Sequence, residues 1–329
     1  MTRLIARISN RVILGLEMCR NKQFLRAVVR FAESVAAMAP FIQWSPVFLR
    51  PLTYFVLSLL IGGKKEPLKF TVPYITKFIN ERKSASGKPN LVLEYVIQAA
   101  PPEETVQGIA IRLLNINFAS IHTSSIFLTQ ALFEIALLSP KEIDGIRTEV
   151  QEALDTEGGW TREAVNKFYK IDSALREVGR CYGLMHYGLP RLSMVVTDLG
   201  DGTFIPPGHR VALDMKAIHY NPEVYPEPEK CDLFRFSNLR EKEDLNSNDS
   251  KYSFSTIDSH YLPFGAGRHS CAGRNFASME LKIMIAHMLI KYDITLPPGV
   301  QTRARNIVFN GAVIPDPKAH LVFSIRGKA

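Results

Sequence analysis

No proline interrupts the chain between Pro102 and Leu138, and Gly108 is the single glycine there. That stretch predicts one helix of roughly 35 residues, about 50 Å long at 1.5 Å per residue. Pro101 and Pro102 stand at its start, where proline is tolerated. Glu103 and Glu104 suit the positive end of the helix, and Pro140 stops it. The stretch is apolar around much of its circumference, which demands burial through the middle of a large fold. With 329 residues, 46% of them hydrophobic, the chain can build such a core.

The remaining periodicity agrees with a mainly α chain carrying a minor β part. Helical spacing runs from Lys22 to Ala39, closed by Pro40 and Pro46, and returns around Val47–Leu60 and Phe70–Arg82. The segment SASGKPN (84–90) reads as a polar turn. Shorter helices are expected at Pro140–Leu154, Thr161–Tyr169 and Asp172–Tyr182. The β-branched run from Leu192 to Met215, around an Asp-Gly turn, predicts a hairpin. Residues 221–260 are rich in Pro, Asp, Asn and Ser and read as mostly loop. A strong helix is expected at Arg274–Tyr292, and NIVFNGAVI and HLVFSIR suggest short strands.

Composition narrows the function. Cys19, Cys181, Cys231 and Cys271 form no CxxC pair and suit neither a zinc site nor a disulfide framework, so they read as reduced thiols. The formal net charge of +8 is either a solvated basic surface or a docking face for an acidic protein or an anionic membrane. The basic residues are scattered without aromatic interleaving, which argues against nucleic acid. Arg3, Arg7, Arg11 and Arg20, with no acid before Glu17, give the start a composition compatible with a mitochondrial transit peptide and unlike a secretory signal. The apolar run Pro51–Gly63 is too short to span a bilayer, so no membrane anchor is expected in this chain.

The chemistry concentrates in PFGAGRHSCAGR, Pro263 to Arg274. Gly265, Gly267 and Gly273 surround Cys271, and glycine lets backbone pass close to a flat ligand. Cys271 directly precedes a predicted helix start, where free N–H groups favour a thiolate. Arg268, His269 and Arg274 add positive charge. The competing reading is a glycine-rich turn with a chance cysteine. A phosphate loop fails because no GK[ST] follows.

FGAGRHSCAG resembles the cysteine-ligand loop of the cytochrome P450 family. The resemblance implies haem b, with Cys271 as the thiolate ligand of the iron. Phe264 would pack beside the sulfur, Gly267 and Gly273 would belong to the loop, and His269 would bind a propionate. His269 stands where many members have arginine, and Ala272 where proline is frequent. Glu177 and Arg180 form ExxR on one helix face; alone this is a surface ion pair as readily as anything else. DLFRF (Asp232–Phe236) resembles the family segment whose arginine, here Arg235, joins that pair in a structural triad. On the long helix, ASIHTS (Ala119–Ser124) resembles the oxygen-activating groove. Thr123 would steer protons, His122 would stand where an acid is common, and Ala119 would leave room for O2. The plain alternative for Thr123 is a helix hydroxyl bonded to a carbonyl one turn back. Arg191 resembles a second propionate contact. Asn115, Ala119, Leu189 and Val313 would face the substrate.

The resemblance spans nearly the whole chain, and the opening IARISNRVILGLEMCRN is similar to a mid-sequence helical region of fungal members, which outweighs the transit-peptide reading. It implies one cytochrome P450 domain over 1–329, the C-terminal two-thirds of a full-length member. The part to 185 would be mostly helical. Residues 186–329 would hold the hairpin, a meander loop, the cysteine loop and the last helix. The front portion is expected to be missing: an anchor, the first sheet strands, a gating loop and a WxxxR helix, a motif that neither Trp44 nor Trp160 fits. The implied activity is a haem-thiolate monooxygenase that inserts one oxygen atom from O2 into a lipophilic small molecule in fungal natural-product biosynthesis. Electrons would come from an NADPH-cytochrome P450 reductase. A full-length relative would sit on the cytosolic face of the endoplasmic reticulum. The rival readings are a non-catalytic fragment or relic unable to hold haem, and a basic binding module.

Overall fold

The computed structural model describes residues 1–61, 63–82, 90–246 and 249–327. It is mainly helical, with a minor β part of short antiparallel pairs. The chain forms two compact units, Met1–Ser125 and Ile126–Ala329, with the boundary inside the longest helix.

The first unit holds α1 (Thr2–Ile13), α2 (Leu16–Arg20), α3 (Lys22–Trp44), α4 (Arg50–Ile61), α5 (Lys65–Arg82), α6 (Val92–Gln98) and the front of α7 (Val106–Ile135). Its core gathers Ile13, Phe24, Val28, Ile75, Leu93 and Leu113, one or two from each of five helices. Burying side chains of this size contributes roughly 1.5–3 kcal/mol apiece. Two polar ties lock the packing. Asn10 Nδ2 donates to Asn117 Oδ1, and the Tyr74 hydroxyl donates to the Leu14 carbonyl at 2.6 Å. By contrast α4 buries none of its side chains: Phe48, just before it, and Leu59 and Leu60 within it all lie in solvent.

Three sequence expectations in this unit need correcting. Pro40 does not end its helix; α3 runs to Trp44, where the Ser45 N–H and hydroxyl both donate to Phe41 O. Helix α5 begins at Lys65, earlier than Phe70, and passes through Pro73. The long helix is shorter than expected, about 45 Å by the same rise per residue. It starts after Thr105, whose hydroxyl accepts from the Gly108 N–H, while Glu104 pairs with Arg112. The true cap is therefore threonine. The polar turn expected at 84–90 lies outside the described residues except Asn90.

The second unit begins with the rest of α7, which is buried on nearly every side from Phe127 to Ile135. There follow α8 (Pro140–Thr156), opened by a Ser139–Glu142 capping box, α9 (Arg162–Asn166) and α10 (Tyr169–Cys181). Strands β1 (Tyr187–Leu192) and β4 (Arg210–Asp214) pair antiparallel. They enclose the expected hairpin of β2 (Thr197–Asp198) and β3 (Phe204–Ile205) around Asp201–Gly202. Between Gly188 and Arg191 the register slips, and Leu189 takes φ +51. Helix α11 (Met215–His219) leads into the loop region.

Residues 221–260 are not all loop, because α12 (Arg235–Lys242) forms within them. Its cap comes from another helix. Ser173 Oγ on α10 accepts from the Phe236 and Ser237 N–H groups, a signal invisible in the local sequence. Helix α13 (Arg274–Lys291) is followed by β5 (Tyr292–Thr295), paired with β8 (Val322–Ile325). The strands β6 (Ile307–Phe309) and β7 (Ala312–Ile314) form the last hairpin. Among the described residues, no single helix is long and apolar enough to cross a membrane.

Candidate functional site

Helix α10 organises the second unit. Every residue from Ile171 to Arg180 is buried, and the polar ones each grip a different piece of the 226–258 chain. Asp172 accepts from the Phe254 N–H at 2.8 Å and pairs with Lys282 on α13. Ser173 donates to Leu233 O. Arg176 donates to the carbonyls of Ser253 and Thr256 and pairs with Asp258 at 2.7 Å. Its guanidinium lies 3.9 Å from the Tyr261 ring centre.

Glu177 and Arg180 meet in a two-bond fork, Nε to Oε2 at 2.9 Å and Nη2 to Oε1 at 2.7 Å, with neither side chain exposed. Arg235 adds its Nε to Oε1 at 3.1 Å, and the Asp232 N–H donates to the same oxygen at 3.0 Å. The remaining donors hold backbone. Arg180 reaches the carbonyls of His219, Pro228 and Lys230, and Arg235 those of Pro226 and Lys230. Burial opposes the charge on Arg180, yet the bonds from Glu177 outweigh it and push its pKa upward. A buried pair this fully hydrogen-bonded repays its desolvation.

The cysteine loop is built differently. Gly265 and Gly267 take φ +72 and +64, where a side chain would be strained. The Cys271 N–H donates to Phe264 O at 2.8 Å, the Ser270 N–H donates to Gly267 O, and Arg274 Nη1 donates to Cys271 O. These bonds fix backbone and leave the Cys271 side chain exposed directly before α13. Gly273 follows so closely that a Cβ there would sit 3.9 Å from the Cys271 sulfur. Phe264 anchors the loop in an aromatic triangle, 4.9 Å from Phe254 and 6.2 Å from Phe127 between ring centres. Beside the loop, Leu189, Arg191, Gly265, Ala266 and His269 line an open cavity of about 430 Å³. Arg191 and His269, far apart in sequence, thus share one wall system. Val313 is buried in the β6–β7 hairpin, and its N–H donates to Leu184 O.

In the first unit, Asn115, Ala119, His122 and Thr123 fall on one face of α7 at helical spacing. Asn115 and Ala119 are exposed, and His122 and Thr123 are half-buried. Thr123 Oγ1 donates to Ala119 O at 2.6 Å, the local bond that a helix hydroxyl makes by default. His122 Nε2 is buried without a hydrogen-bond partner among the described residues. Burial lowers the His122 pKa, against a smaller opposing effect of Glu33.

Some residues that shape the site carry no motif. His219 on α11 gives its carbonyl to Arg180, while its Nε2 accepts from the Leu262 N–H at 3.0 Å, two residues ahead of Phe264. One residue, by its carbonyl and its ring, therefore joins the ion cluster to the cysteine loop. Burial, then the neighbouring Arg180, lowers its pKa to about 4, so it accepts as a neutral ring. Phe127 and Phe254 likewise become partners of Phe264 only once the chain is folded.

A buried ExxR fork completed by a second arginine, and a glycine loop presenting a cysteine before a long helix, together define a class of protein. Residues 1–323 match the sequence profile of the cytochrome P450 family, and the chain belongs to that family. It is 31% identical over 336 residues to cytochrome P450 monooxygenase 151 of Postia placenta, covering 99% of this chain and 66% of that protein. It is 34% identical over 327 residues to an ent-kaurene oxidase of Fusarium fujikuroi, covering 98% of this chain and 60% of that one. The chain thus spans 60–66% of the length of these relatives. The fold resembles the crystal structure of the cytochrome P450DA heme domain (TM-score 0.70, 20% identity, 99% of this chain and 67% of that one). It also resembles a zebra fish cytochrome P450 (TM-score 0.71, 19% identity, 99% and 71%).

Proposed function

We propose that the chain acts as one cytochrome P450 domain over 1–329 and serves a haem-thiolate monooxygenase reaction. In that reaction one oxygen atom of O2 enters a lipophilic small molecule. The carrying observation is the Cys271 thiol, exposed on a glycine loop whose backbone is fixed from behind by Phe264 and, through His219, by the Glu177 cluster. The residue types suit haem b: a soft sulfur ligand, glycines that permit close approach, and two basic side chains on one cavity.

Cys271 would hold the iron, with Phe264, Gly267 and Gly273 around the sulfur, and Arg191 and His269 would bind the propionates. When bound, haem supplies O2 activation, favoured by electron donation from the thiolate. Glu177, Arg180 and Arg235 keep the loop in place and touch no reactant. Thr123 Oγ1, which donates to the Ala119 carbonyl, would offer the same O–H as a hydrogen-bond donor to a bound reactant by turning away from that carbonyl. Burial favours the neutral ring of His122, whose Nε2 would take up a proton in the reaction. Asn115, Ala119 and Leu189 offer surface to a substrate, whereas Val313 is 5% exposed and offers the least. The relatedness to an ent-kaurene oxidase supports a terpenoid-like substrate in fungal natural-product biosynthesis. Electrons would come from NADPH through a cytochrome P450 reductase, for which a basic protein is a suitable partner.

The test is the absorption spectrum of the haem-reconstituted chain, reduced and saturated with carbon monoxide. A Soret band at the thiolate-ligated position that disappears in Cys271→Ala is expected. Stoichiometric haem with an unchanged band in that variant would overturn the assignment. A second reading, a chain that holds no haem, is favoured by the apolar hairpin surface, where Met194, Val196 and Phe204 are 77%, 63% and 63% exposed. Failure to retain haem under the same conditions would support it.

A further inference from the structure

Cys181 ends α10, directly after Arg180, and Cys231 directly follows Lys230. Their sulfurs and a Glu177 carboxylate oxygen lie within 4.8 Å of one another, and the two thiols hydrogen-bond each other. Three such ligands would suit a metal in number. The third is already committed, however, because Glu177 Oε1 accepts from Arg180, Arg235 and the Asp232 N–H. Arg180 Nη2 also stands 3.1 Å from Cys181 Sγ, so a cation would enter against a guanidinium. What remains is a pair of thiols in contact, both partly open to solvent.

We propose that Cys181 and Cys231 form a reversible disulfide, a redox-controlled staple between the end of α10 and the loop at Lys230. The sulfurs lie within 4.8 Å of each other, so they need to approach by no more than about 2.8 Å to reach a bond of roughly 2.05 Å. With hydrogen peroxide as oxidant, the Cys181 sulfur attacks one oxygen and the O–O bond breaks. Cys181 becomes a sulfenic acid, and the leaving hydroxide takes up the thiol proton as water. The Cys231 sulfur then attacks the sulfenic sulfur, the S–O bond breaks, the S–S bond forms and a second water leaves. Two thiols lose two electrons and two protons, and one peroxide becomes two waters. A dithiol reductant reverses the exchange.

Cys181 is the attacking sulfur because the Arg180 guanidinium lies beside it. The Cys231 thiol, held by its bond to Cys181 and by burial, is pushed up. The site matters because Lys230 O accepts from both Arg180 and Arg235, at 3.0 and 3.2 Å. A cross-link one residue away fixes the carbonyl that both guanidiniums share. None of this depends on haem.

The full native chain should be treated with hydrogen peroxide, alkylated and mapped by peptide mass spectrometry. The expected result is a Cys181–Cys231 link formed without denaturant, absent after dithiothreitol, with Cys19 and Cys271 unlinked. The urea midpoint should rise on oxidation, and Cys181→Ser and Cys231→Ser should each abolish that rise. The mapping of the natural sequence stands even if a variant fails to fold. A link that forms only in urea, a link to Cys19 or Cys271, or zinc capture that protects both thiols from peroxide would overturn the proposal.

Discussion

The Glu177 cluster and the Cys271 loop belong to the same unit, yet they are stabilised in opposite ways. In the cluster, side chains do the holding: one carboxylate and two guanidiniums satisfy each other and five backbone carbonyls, away from water. In the loop, backbone does the holding, through two left-handed glycines and short carbonyl bonds, and the functional side chain projects outward. A side chain spent on structure is unavailable for chemistry. The contrast separates residues that build the site from residues that can react in it.

The sharpest way to break this contrast is to remove a side chain from each region. Glu177→Ala leaves two guanidiniums without their counter-charge, one of them fully buried, and should destabilise the chain by about 3–5 kcal/mol. Urea unfolding measures it, and a loss below 1 kcal/mol would mean the cluster is not the anchor described. Glu149 sharpens the point, because it is enclosed without a guanidinium. It accepts a hydrogen bond from the Lys170 N–H at 2.9 Å, and burial pushes its pKa from 4.5 up to about 7. A raised carboxyl pKa means stability present below pH 4.5 and lost as pH rises through 7. Glu149→Gln should therefore be more stable than the natural chain at pH 8 by about 1–3 kcal/mol, and indistinguishable at pH 4.

His219 gives the opposite sign. Its pKa falls from 6.5 to about 4, so its contribution is full above pH 6.5 and fades as pH drops toward 4. A His219→Gln chain, which keeps an acceptor for Leu262, should show a shallower acid loss in urea titrations between those limits. In the loop itself, Gly267→Ala should cost about 1 kcal/mol, purely from backbone strain, since nothing lies within 4 Å of the added Cβ. The smallest effect is expected for Cys271→Ala, within about 0.5 kcal/mol on the haem-free chain, because its side chain packs against little. A large loss there would show that the sulfur is structural after all.

Much of this was legible beforehand. The glycine loop, ExxR and DLFRF each occupy consecutive residues, so spacing alone exposes them, and the structure brings Glu177, Arg180 and Arg235 into contact. Arg191 and His269, far apart in sequence, line one cavity. What stayed hidden depends on contacts between distant segments. The Ser173 cap that creates α12, the His219 bond to Leu262 and the Phe127–Phe254–Phe264 triangle have no periodic or local signature. Helix ends are hard to read from sequence for a related reason: Pro40 and Pro73 sit inside helices, so proline there marks no boundary.

The slip between Gly188 and Arg191 has a consequence for any attempt at redesign. Leu189 and Pro190 together face Ala212, so the strand carries one residue more than its neighbour. Paired residues on neighbouring strands share a face, so Arg191 takes the side that its pairing with Val211 dictates. Deleting Pro190 would restore an even ladder and leave Arg191 opposite Val211, removing only the local bend and twist of the extra residue. The irregularity is thus a splice: the strand takes up one residue and still delivers the positive charge to the same half-space.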